Sequence, residues 1–334
     1  MWKVASEWER TRTTYLTQVK SGAVLVPAQD RGGEQLLSST TINAYPMMSE
    51  ESSKGCIACG WTLDQQEQCF YSSHAGVWSI GSDVILKERP DEGPKTEVTT
   101  LNHLTSYSNI PVPKILRDWV DGNGRYFVLQ ERIQGQTLEQ AWSSLSKSQK
   151  VDIADEVIEI RKQLRSFQST SIQTVDQSPC FPGLLFSDRE PHGPFHSDNE
   201  LWDAISLTLH DPPTILFPQR ALDNLKKRLP KCEPYVLTHC DLNLGNIMVK
   251  DGGLAGILDW EFAAYYPIWY EYVSASWGWT EEDAEWKKLL RERMGVHGEG
   301  HDDAKEFWTD LRHLRKYPNL DEKGREVLDR LSSD

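Results

Sequence analysis

The sequence predicts an α+β fold in two unequal parts, a small antiparallel sheet followed by a larger, mainly helical region. Short apolar runs separated by tight turns occupy residues 69–130, as in antiparallel strands. From Thr137 onward, apolar residues recur at the spacing of amphipathic helices. We therefore predict a sheet-rich part over 61–132 and a helix-rich part over 133–334. An N-terminal extension over 1–60 combines a short helix with irregular sequence.

The composition is that of a globular protein with an acidic surface. The chain has 334 residues, 13 of them Trp, and a formal net charge of -14. This charge argues against a nucleic-acid partner, which requires a basic face to displace counterions. It is compatible with a cationic small substrate, although most acidic proteins owe their charge to solubility.

The N-terminal residues and the cysteines predict a cytoplasmic protein without a membrane segment. The sequence MWKVASEWERTRTTYL lacks an apolar signal core, and no apolar run approaches the roughly 18 residues of a membrane span. Six scattered cysteines then indicate reduced thiols. Cys56 and Cys59 could be a redox pair or half of a zinc site. No second ligand pair completes such a site, so two incidental thiols are the preferred interpretation.

The predicted sheet begins with three short strands. Residues 69–71, 76–80 and 84–87 are apolar runs joined by small or turn-forming residues, which predicts an antiparallel meander. The first turn, 72–75, could let backbone amides approach an anion such as a phosphate. It contains no G-x-G-x-x-G pattern, however, and any hairpin turn could have the same composition.

Two charged residues follow in the next elements. Lys87 ends an apolar strand, and Glu97 lies in the first turn of a helix predicted over 96–104. The apolar face of this helix is predicted to consist of Val98, Leu101 and Leu104. A Lys87–Glu97 pair could hold the lysine on nucleotide phosphates. Alternatively, Lys87 is an exposed strand end and Glu97 is a carboxylate favoured by the helix dipole.

The rest of the sheet leads through a connector into helices. A segment with two prolines over 110–116 and a strand over 126–130 flank a hairpin turn at 121–124. Residues 131–135 then connect the two parts of the chain. Apolar periodicity predicts helices within 137–167.

Three later segments extend the helical part. Residues 171–220 contain many Pro, Gly and His residues, and we predict a long irregular loop with a functional or packing role. A charged helix is predicted over 281–294. Residues 302–331 are predicted to be helical and to face the surface.

Four polar residues within 235–261 form the most informative pattern of the sequence. His239, Asp241 and Asn246 make the string H-x-D-x-x-x-x-N. Asp259 follows 13 residues after Asn246, at the end of a second apolar run.

A predicted hairpin brings two of these residues together. Residues 247–249 and 256–258 read as paired strands joined by a tight turn at 251–253, which carries Asn246 and Asp259 to the same end. Oxygen ligands suited to a hard cation then lie beside the carboxylate of the histidine-containing string. Phosphoryl transfer requires this arrangement. The alternative is a buried hairpin whose polar residues satisfy one another.

The combined pattern resembles a known family. Six residues on three segments resemble the aminoglycoside phosphotransferase and choline kinase branch of the protein-kinase-like fold: Lys87, Glu97, His239, Asp241, Asn246 and Asp259. Asp-Trp-Glu at 259–261 replaces the Asp-Phe-Gly of protein kinases, as is common in that branch. The segments 110–114, 130–135 and 266–272 look like the large fungal subset. The resemblance covers about residues 68–280 and implies a bilobal fold, with an N-lobe sheet and a larger helical C-lobe.

The resemblance implies catalytic and metal-binding roles. Asp241 would accept the proton of the acceptor or orient its hydroxyl group, and His239 would support the loop through hydrogen bonds. Asn246 and Asp259 would hold Mg²⁺ against the β- and γ-phosphates of ATP. Cys240 stands where the family usually has Gly, a small change that we expect to be tolerated.

The resemblance also implies a nucleotide site in the N-lobe. Lys87 would contact the α- and β-phosphates and be braced by Glu97. The backbone between Glu131 and Ile133 would meet the adenine ring. The turn 72–76 lacks a strong glycine pattern, so its role in nucleotide binding is less defined than that of the metal residues.

These roles predict an ATP-dependent, Mg²⁺-dependent kinase acting on a hydroxyl group of a small-molecule acceptor, with no nucleic-acid or membrane partner. The acceptor could be cationic, bound by the acids Glu281, Glu282, Asp283 and Glu285, although a solvated helix start is the simpler explanation. The aromatic run 265–272 could favour an aromatic acceptor or be core. A catalytically silent, kinase-like binding protein is the alternative function. The sequence leaves the acceptor and the oligomeric state open.

Overall fold

The structure is a computed structural model that describes residues 66–71, 75–92, 95–186, 188, 190–209 and 216–333. These residues belong to one unit of the chain, Lys54–Asp334. The predicted N-terminal extension, the C-x-x-C motif of Cys56 and Cys59, and most of the first turn of the sheet lie outside the described residues.

The described elements follow one another as predicted in type, with strands first and helices later. The strands are β1 (Gln66–Tyr71), β2 (Gly76–Ile80), β3 (Val84–Pro90), β4 (Ile115–Val120), β5 (Arg125–Glu131), β6 (Gln136–Thr137), β7 (Gln168–Ser169), β8 (Tyr235–Thr238), β9 (Ile247–Lys250), β10 (Gly253–Ile257) and β11 (Ala264–Pro267). The helices are α1 (Thr96–Tyr107), α2 (Leu138–Ala141), α3 (Lys147–Leu164), α4 (Asp198–Leu207), α5 (Gln219–Lys227), α6 (Tyr270–Ser274), α7 (Glu281–Val296), α8 (Asp302–Leu314) and α9 (Glu322–Ser333).

Strands β1 to β5 form one antiparallel sheet in the order β1-β2-β3-β5-β4. The predicted meander is its first half. Strand β3 pairs along its whole length with β5, which places Lys87 between Val77 of β2 and Val128 of β5. The small sheet and the helical remainder confirm the predicted α+β class.

The hairpin turn between β4 and β5 depends on one aspartate and one glycine. Asp121 Oδ1 accepts hydrogen bonds from the backbone N–H groups of Asn123 (2.9 Å) and Arg125 (2.8 Å). Gly124 has a φ of 72°, which a residue without Cβ adopts without strain. The predicted turn at 121–124 is confirmed.

Helix α1 buries a partly polar face. Glu97, Thr100, Leu101 and Leu104 are buried, at the spacing of one helical stripe. Val98, which the apolar pattern assigns to that face, is only half-buried. The predicted apolar face did not include the buried polar residues Glu97 and Thr100, because hydrophobicity alone does not reveal that α1 turns a carboxylate toward the sheet.

The region 137–167 contains two helices, and each begins with a capping box. Thr137 and Gln140 exchange side-chain and backbone hydrogen bonds at the start of α2, as Ser146 and Gln149 do at α3. Helix α3 packs into the core through its apolar face, which includes Ile153, Ala154, Val157, Ile158 and Leu164.

The segment 171–220 is not irregular throughout, because it contains α4. Ser197 Oγ accepts the N–H of Glu200 at 3.2 Å and begins the helix. The buried residues of α4 are Leu201, Trp202 and Ile205. The prediction of a single long loop is corrected here, since a helix of this length between Pro- and Gly-rich sequences gives a weak periodic signal.

The C-terminal helices and the aromatic run form core. Helices α8 and α9 do not merely face the surface, since they bury Phe307, Trp308, Leu311, Leu314, Val327 and Leu331. The aromatic side chains of 265–272 are core rather than a surface for an acceptor, since the buried residues include Tyr266, Trp269, Tyr270 and Tyr272.

Two small antiparallel sheets, β10-β9-β6 and β11-β8-β7, lie within the helical part. The polar residues that the sequence singles out lie next to the ends of strands β8, β9 and β10. None of the helices in the described part of the chain is both long and apolar enough to span a bilayer.

Candidate active site

The β9–β10 hairpin brings Asn246 and Asp259 together, as the sequence predicts. The two strands are antiparallel, with Ile257 opposite Ile247. The N–H of Leu258 donates to the carbonyl oxygen of Asn246 at 2.8 Å. This hydrogen bond extends the strand pairing by one residue, so Asp259 is the first residue after the hairpin.

His239 links the loop after β8 to the end of this hairpin. Its Nε2 lies 2.8 Å from the carbonyl oxygen of Leu258, and its Nδ1 lies 3.1 Å from the backbone nitrogen of Asp241. A carbonyl only accepts and an amide only donates, so the ring carries its proton on Nε2 and accepts at Nδ1. The ring is fully buried and packs edge-on against Trp260 at 4.6 Å. Both nitrogens are thus used to hold the loop.

Asp241 is held from the other side by Asn246. Asn246 Nδ2 donates to the carbonyl oxygen (2.9 Å) and to Oδ2 (3.2 Å) of Asp241. Asn243 Oδ1 accepts the N–H groups of Gly245 (2.8 Å) and Asn246 (3.1 Å), which shapes the turn between them. Burial raises the pKa of the Asp241 carboxyl, and the charge of Lys287 is the strongest opposing influence. The Oδ1 atom of Asn246 has no hydrogen-bond partner within the described residues.

Lys87 joins the sheet to the hairpin. Its Nζ lies 2.5 Å from Glu97 Oε1 and 3.1 Å from Asp259 Oδ1. The predicted Lys87–Glu97 contact is confirmed, and the alternative of an exposed strand end is wrong. Burial alone would lower the pKa of Lys87, but the charges of Glu97 and Asp259 raise it above its ordinary value. Burial would likewise raise the pKa of Asp259, but Lys87 holds it below its ordinary value.

The residues after Asp259 contact α1. Thr96 Oγ1 donates to the carbonyl oxygen of Glu261 at 2.5 Å. Burial, together with the charge of Asp259, raises the pKa of Glu261 to about 7. Asp259 itself has a φ of 64°, a conformation that is rare outside glycine and that concentrates at functional sites.

The connector after β5 is fixed by backbone hydrogen bonds. The N–H of Glu131 donates to the carbonyl oxygen of Lys114 (2.9 Å), and the N–H of Arg132 donates to that of Asp83 (2.8 Å). These two backbone N–H groups are therefore hydrogen-bonded within the protein. The Glu131 side chain is exposed.

Ile133 packs directly on the hairpin. A Cβ at Gly256 would lie 2.5 Å from Ile133 Cδ1 and 2.8 Å from the carbonyl oxygen of Pro111, so the contact requires glycine there. Within the described residues the backbone N–H of Ile133 has no partner, which leaves it available to a ligand. The adenine-binding role of Glu131 and Ile133 stays a prediction.

Helix α7 is the part of the site that the sequence pattern missed. Asp283 accepts the backbone N–H groups of Leu244 (3.1 Å) and Trp279 (3.0 Å), so it positions the loop after Asp241 instead of lining an open pocket. Trp286 Nε1 donates to the carbonyl oxygen of Leu242 at 2.9 Å. The other acids of this segment are exposed, namely Glu281, Glu282 and Glu285. In the sequence, the only indication of this contact is the helical spacing of the residues that form the buried face of α7.

Cys240 adopts a backbone conformation that favours glycine. Its φ is 76°, and its N–H donates to Glu271 Oε2 at 3.1 Å. Burial raises the pKa of its thiol. The cysteine is accommodated, as the sequence predicts, but in a strained conformation.

The oxygen atoms of the site fit a nucleotide-bound magnesium ion. Within the described residues no group of three or more His, Cys, Asp or Glu side chains could hold a metal by itself. Asp259 and the Oδ1 atom of Asn246 place two hard oxygen atoms at one end of the hairpin, and both are of the type that Mg²⁺ binds. Mg²⁺ in phosphate-transfer sites is bound by one or two protein ligands, with phosphates and water completing the octahedron.

The sequence comparisons identify the family. A profile of the phosphotransferase enzyme family matches residues 78–307, and the chain belongs to this family. The match runs from within β2 into the first half of α8 and so includes every residue of the site. A comparison with curated proteins returned no match.

Solved structures with a similar fold include aminoglycoside phosphotransferases. A thermostable variant of aminoglycoside phosphotransferase APH(4)-Ia, in complex with AMP-PNP and hygromycin B, is 16% identical and has a TM-score of 0.51, covering 82% of this chain and 92% of that one. The GDP and kanamycin complex of APH(2")-IIia is 18% identical with a TM-score of 0.50, covering 81% and 93%. The predicted family resemblance and the kinase-like fold are confirmed. Membership of a fungal subset stays a prediction.

Proposed function

We propose that the chain is an ATP-dependent kinase that transfers the γ-phosphoryl group to a hydroxyl group of a small-molecule acceptor. One observation carries this proposal: Lys87 Nζ lies 2.5 Å from Glu97 and 3.1 Å from Asp259, at the hairpin end that also carries Asn246. This geometry supports a site in which the Lys87 ammonium group contacts phosphates and neighbouring carboxylate and amide oxygens bind Mg²⁺. Membership of the phosphotransferase enzyme family supports the reaction type.

In this proposal Lys87 and the hairpin bind the nucleotide phosphates. Lys87, braced by Glu97, contacts the α- and β-phosphates and exchanges its contact with Asp259 for them. Asp259 and Asn246 are then free to hold Mg²⁺, which supplies charge neutralisation at the phosphates when bound. The free N–H of Ile133 binds the edge of the adenine ring.

Asp241 receives the proton of the acceptor. The acceptor oxygen attacks the γ-phosphorus and forms a new P–O bond, while the bond from the γ-phosphorus to the bridging oxygen breaks and ADP leaves with its electron pair. The hydroxyl proton passes to the Asp241 carboxylate. Asn246 donates to this carboxylate, and His239 accepts the backbone N–H of the same residue. Catalysis rests on positioning and on charge stabilisation, with no covalent enzyme intermediate.

The acceptor is defined here only as a small molecule that bears a hydroxyl group. Hygromycin B and kanamycin are bound by proteins only 16% and 18% identical to this chain, a likeness that extends to the fold. The acids Glu281, Glu282 and Glu285 at the start of α7 are exposed, as expected of a solvated helix start.

Isosteric aspartate substitutions test the proposal. Titration calorimetry with Mg-ATP would compare the native chain with Asp259→Asn, Asp241→Asn and Asp251→Asn. Asp251 is an exposed residue in the turn at the opposite end of the same hairpin, so it is the matched control. Phosphoryl transfer would be followed with labelled ATP against a panel of aminoglycosides, amino alcohols and polyols.

We expect Asp259→Asn to lose at least tenfold in Mg-ATP affinity, because one of two protein ligands loses its charge. Asp241→Asn should bind Mg-ATP normally and lose about 10²–10⁴-fold in transfer rate. Asp251→Asn should match the native chain. Intact Mg-ATP binding in Asp259→Asn would refute the metal assignment, and full transfer in Asp241→Asn would refute its role. Mg-ATP binding without turnover on any acceptor would favour the catalytically silent alternative.

A further inference from the structure

Lys287 is a buried lysine beside the loop that carries Asp241. Helix α7 is docked on this loop by Asp283, through the N–H of Leu244 at 3.1 Å, and by Trp286, through the carbonyl oxygen of Leu242 at 2.9 Å. Lys287 follows Trp286 on the buried face of the helix, and only 7% of its surface is exposed. Its stem therefore lies in the contact between α7 and the loop.

Among the described residues, the ammonium group of Lys287 has no ion-pair or hydrogen-bond partner. Within the described part of the chain no carboxylate oxygen lies within 4.0 Å of its Nζ, and the group makes no hydrogen bond. Asp283, one helical turn earlier, uses its oxygens on backbone amides instead. The comparably buried cation Arg161 shows the usual situation, because it pairs with Glu299. Lys287 is thus a buried charge without a direct ion pair among the described residues.

The unpaired ammonium opens toward the site. Its Nζ is not among the fully enclosed, unpartnered polar atoms of the described residues, so the small exposed area of Lys287 includes the nitrogen. The charge of Lys287 is also the principal positive influence on the carboxyl group of Asp241. The side chain therefore buries its methylenes and presents its charge beside Asp241.

A buried, unpaired ammonium destabilises a fold, and an apolar residue of similar volume would pack better at this position. The charge gains a direct partner only when an anion binds next to it, since the nearby Asp241 makes no ion pair with it within 4.0 Å. In the proposed reaction the acceptor oxygen contacts Asp241 and attacks the γ-phosphorus, so the oxygens of the transferring group pass through this neighbourhood. Negative charge spread over these oxygens is what a preorganised cation stabilises.

We propose that Lys287 is a catalytic residue that binds the oxygens of the γ-phosphoryl group during its transfer. This inference rests on the proposed kinase function and adds a second cation, from a helix of the C-terminal part, to the Lys87 contact from the sheet. Lys287 acts on the transferring group, whereas Lys87 acts on the phosphates that remain in ADP.

The test uses three variants of the full chain and needs no identified acceptor. Lys287→Met removes the charge and keeps the volume, and Lys287→Arg keeps the charge. Lys288→Met is the matched control, because Lys288 is the next residue of α7 and faces solvent. Each variant is assayed for Mg-ATP affinity, for hydrolysis of ATP with water as acceptor, and for the gain in Mg-ADP affinity on adding aluminium fluoride, a mimic of the transferring phosphoryl group.

We expect Lys287→Met to bind Mg-ATP within about threefold of the native chain but to hydrolyse it about 10²-fold more slowly, the usual effect of losing one stabilising donor. It should also lose the gain from aluminium fluoride. Lys287→Arg should recover part of both, and Lys288→Met should match the native chain. The melting temperature of Lys287→Met should equal or exceed that of the native chain, because a buried ammonium group without a direct ion pair is removed. A purely structural lysine would lower it.

The outcomes separate this inference from the proposed function. If the native chain fails to bind Mg-ATP, the proposed function is overturned and this inference with it. If Mg-ATP binds and Lys287→Met keeps the native response to aluminium fluoride, the inference alone is overturned, whether or not hydrolysis is measurable. In that case, a raised acceptor KM in Lys287→Met would assign the charge to an anionic group of the acceptor.

Discussion

The two sides of the Lys87–Asp259 contact are built differently. On the sheet side, all seven residues of β3 are half-buried, so strand register more than packing determines where Lys87 lies. On the hairpin side, Trp260 and His239 are fully buried, and three of the four residues of β9 are buried as well. One side is an open sheet and the other belongs to a dense core.

This difference separates binding from folding. The Lys87 side chain keeps 22% of its surface exposed, so solvent screening reduces what its ion pair adds to stability. Substitutions on the sheet side should therefore weaken nucleotide binding and leave the fold intact. Substitutions under the hairpin should instead lower the free energy of unfolding.

The strongest test of this contrast is Trp260→Ala on the hairpin side. The change empties a fully buried site next to His239 and removes the hydrogen bond from Trp260 Nε1 to the carbonyl oxygen of Ile257, at 2.9 Å. We expect a loss of about 3–5 kcal/mol in the free energy of unfolding. Urea denaturation followed by circular dichroism measures it.

Trp119→Ala in β4 is the matched control for the sheet side. Trp119 is half-buried and stacks on Phe127 at 5.1 Å, so its loss should reduce stability by only about 1 kcal/mol. Equal losses for the two tryptophans would show that the sheet is packed as tightly as the hairpin.

The second prediction concerns the contact between the connector and the hairpin. Gly256→Ala would place a methyl group 2.5 Å from Ile133 Cδ1 and 2.8 Å from the carbonyl oxygen of Pro111. Since a backbone carbonyl does not yield easily, we expect a loss of about 1–3 kcal/mol in the free energy of unfolding. Gly122→Ala in the β4–β5 turn is the control, because nothing lies within 4 Å of its Cβ. If both variants unfold at the same urea concentration, the contact between residue 256 and the connector can accommodate a methyl group without loss of stability.

The sequence predicted those parts of the site that local patterns encode. Alternating apolar runs and a tight turn were enough to bring Asn246 and Asp259 to one end of a hairpin. The spacing of Lys87 and Glu97 across a strand and a helix start was enough to suggest their contact. In each case the chain segment that carries the residue has its own periodicity, and pairing follows from geometry.

The missed features depend on contacts between distant segments. Asp283 accepts the N–H of Leu244, 39 residues away, and no local pattern distinguishes it from the exposed acids beside it. Lys287 reads as one more charged residue of a charged helix until its burial is known. The polar face of α1 was missed for the same reason, since Thr100 faces the interior while Val98 stays half-buried.

The third prediction tests an ion pair within the helical part. Asp155 of α3 receives two hydrogen bonds from Arg293 of α7, at 2.7 and 2.8 Å, and a third contact from His297 at 3.1 Å. The Arg293 bonds hold the pKa of Asp155 below its ordinary value. The stability that the pair adds is therefore complete above the unfolded pKa, near 4, and is lost as the pH falls through the folded pKa.

We expect Asp155→Asn to lose up to about 1 kcal/mol at pH 7, because the pair is partly exposed. The difference from the native chain should shrink progressively below pH 4, which urea unfolding at several pH values measures. Asp152→Asn, on the exposed side of the same helix, should have no effect at any pH. A difference that persists undiminished at acidic pH would mean that packing, and not the charge of Asp155, links the two helices.

The smallest effect is expected at Cys240, where two opposing terms nearly cancel. A φ of 76° strains a residue with a Cβ by about 1–2 kcal/mol, and glycine relieves this strain. Glycine also loses the packing of a half-buried thiol and adds about 0.5–1 kcal/mol of unfolded-state entropy. Cys240→Gly should therefore stay within about 1 kcal/mol of the native chain.

Cys240→Ala separates the two terms, because alanine loses the thiol but keeps the strained backbone. It should be less stable than Cys240→Gly by several tenths of a kcal/mol to about 1 kcal/mol. Denaturant titrations of the two variants side by side resolve that difference. If Cys240→Ala is instead the more stable variant, the φ of residue 240 causes no strain. The hydrogen bond from the N–H of residue 240 to Glu271, at 3.1 Å, would then be enough to hold the loop in both variants.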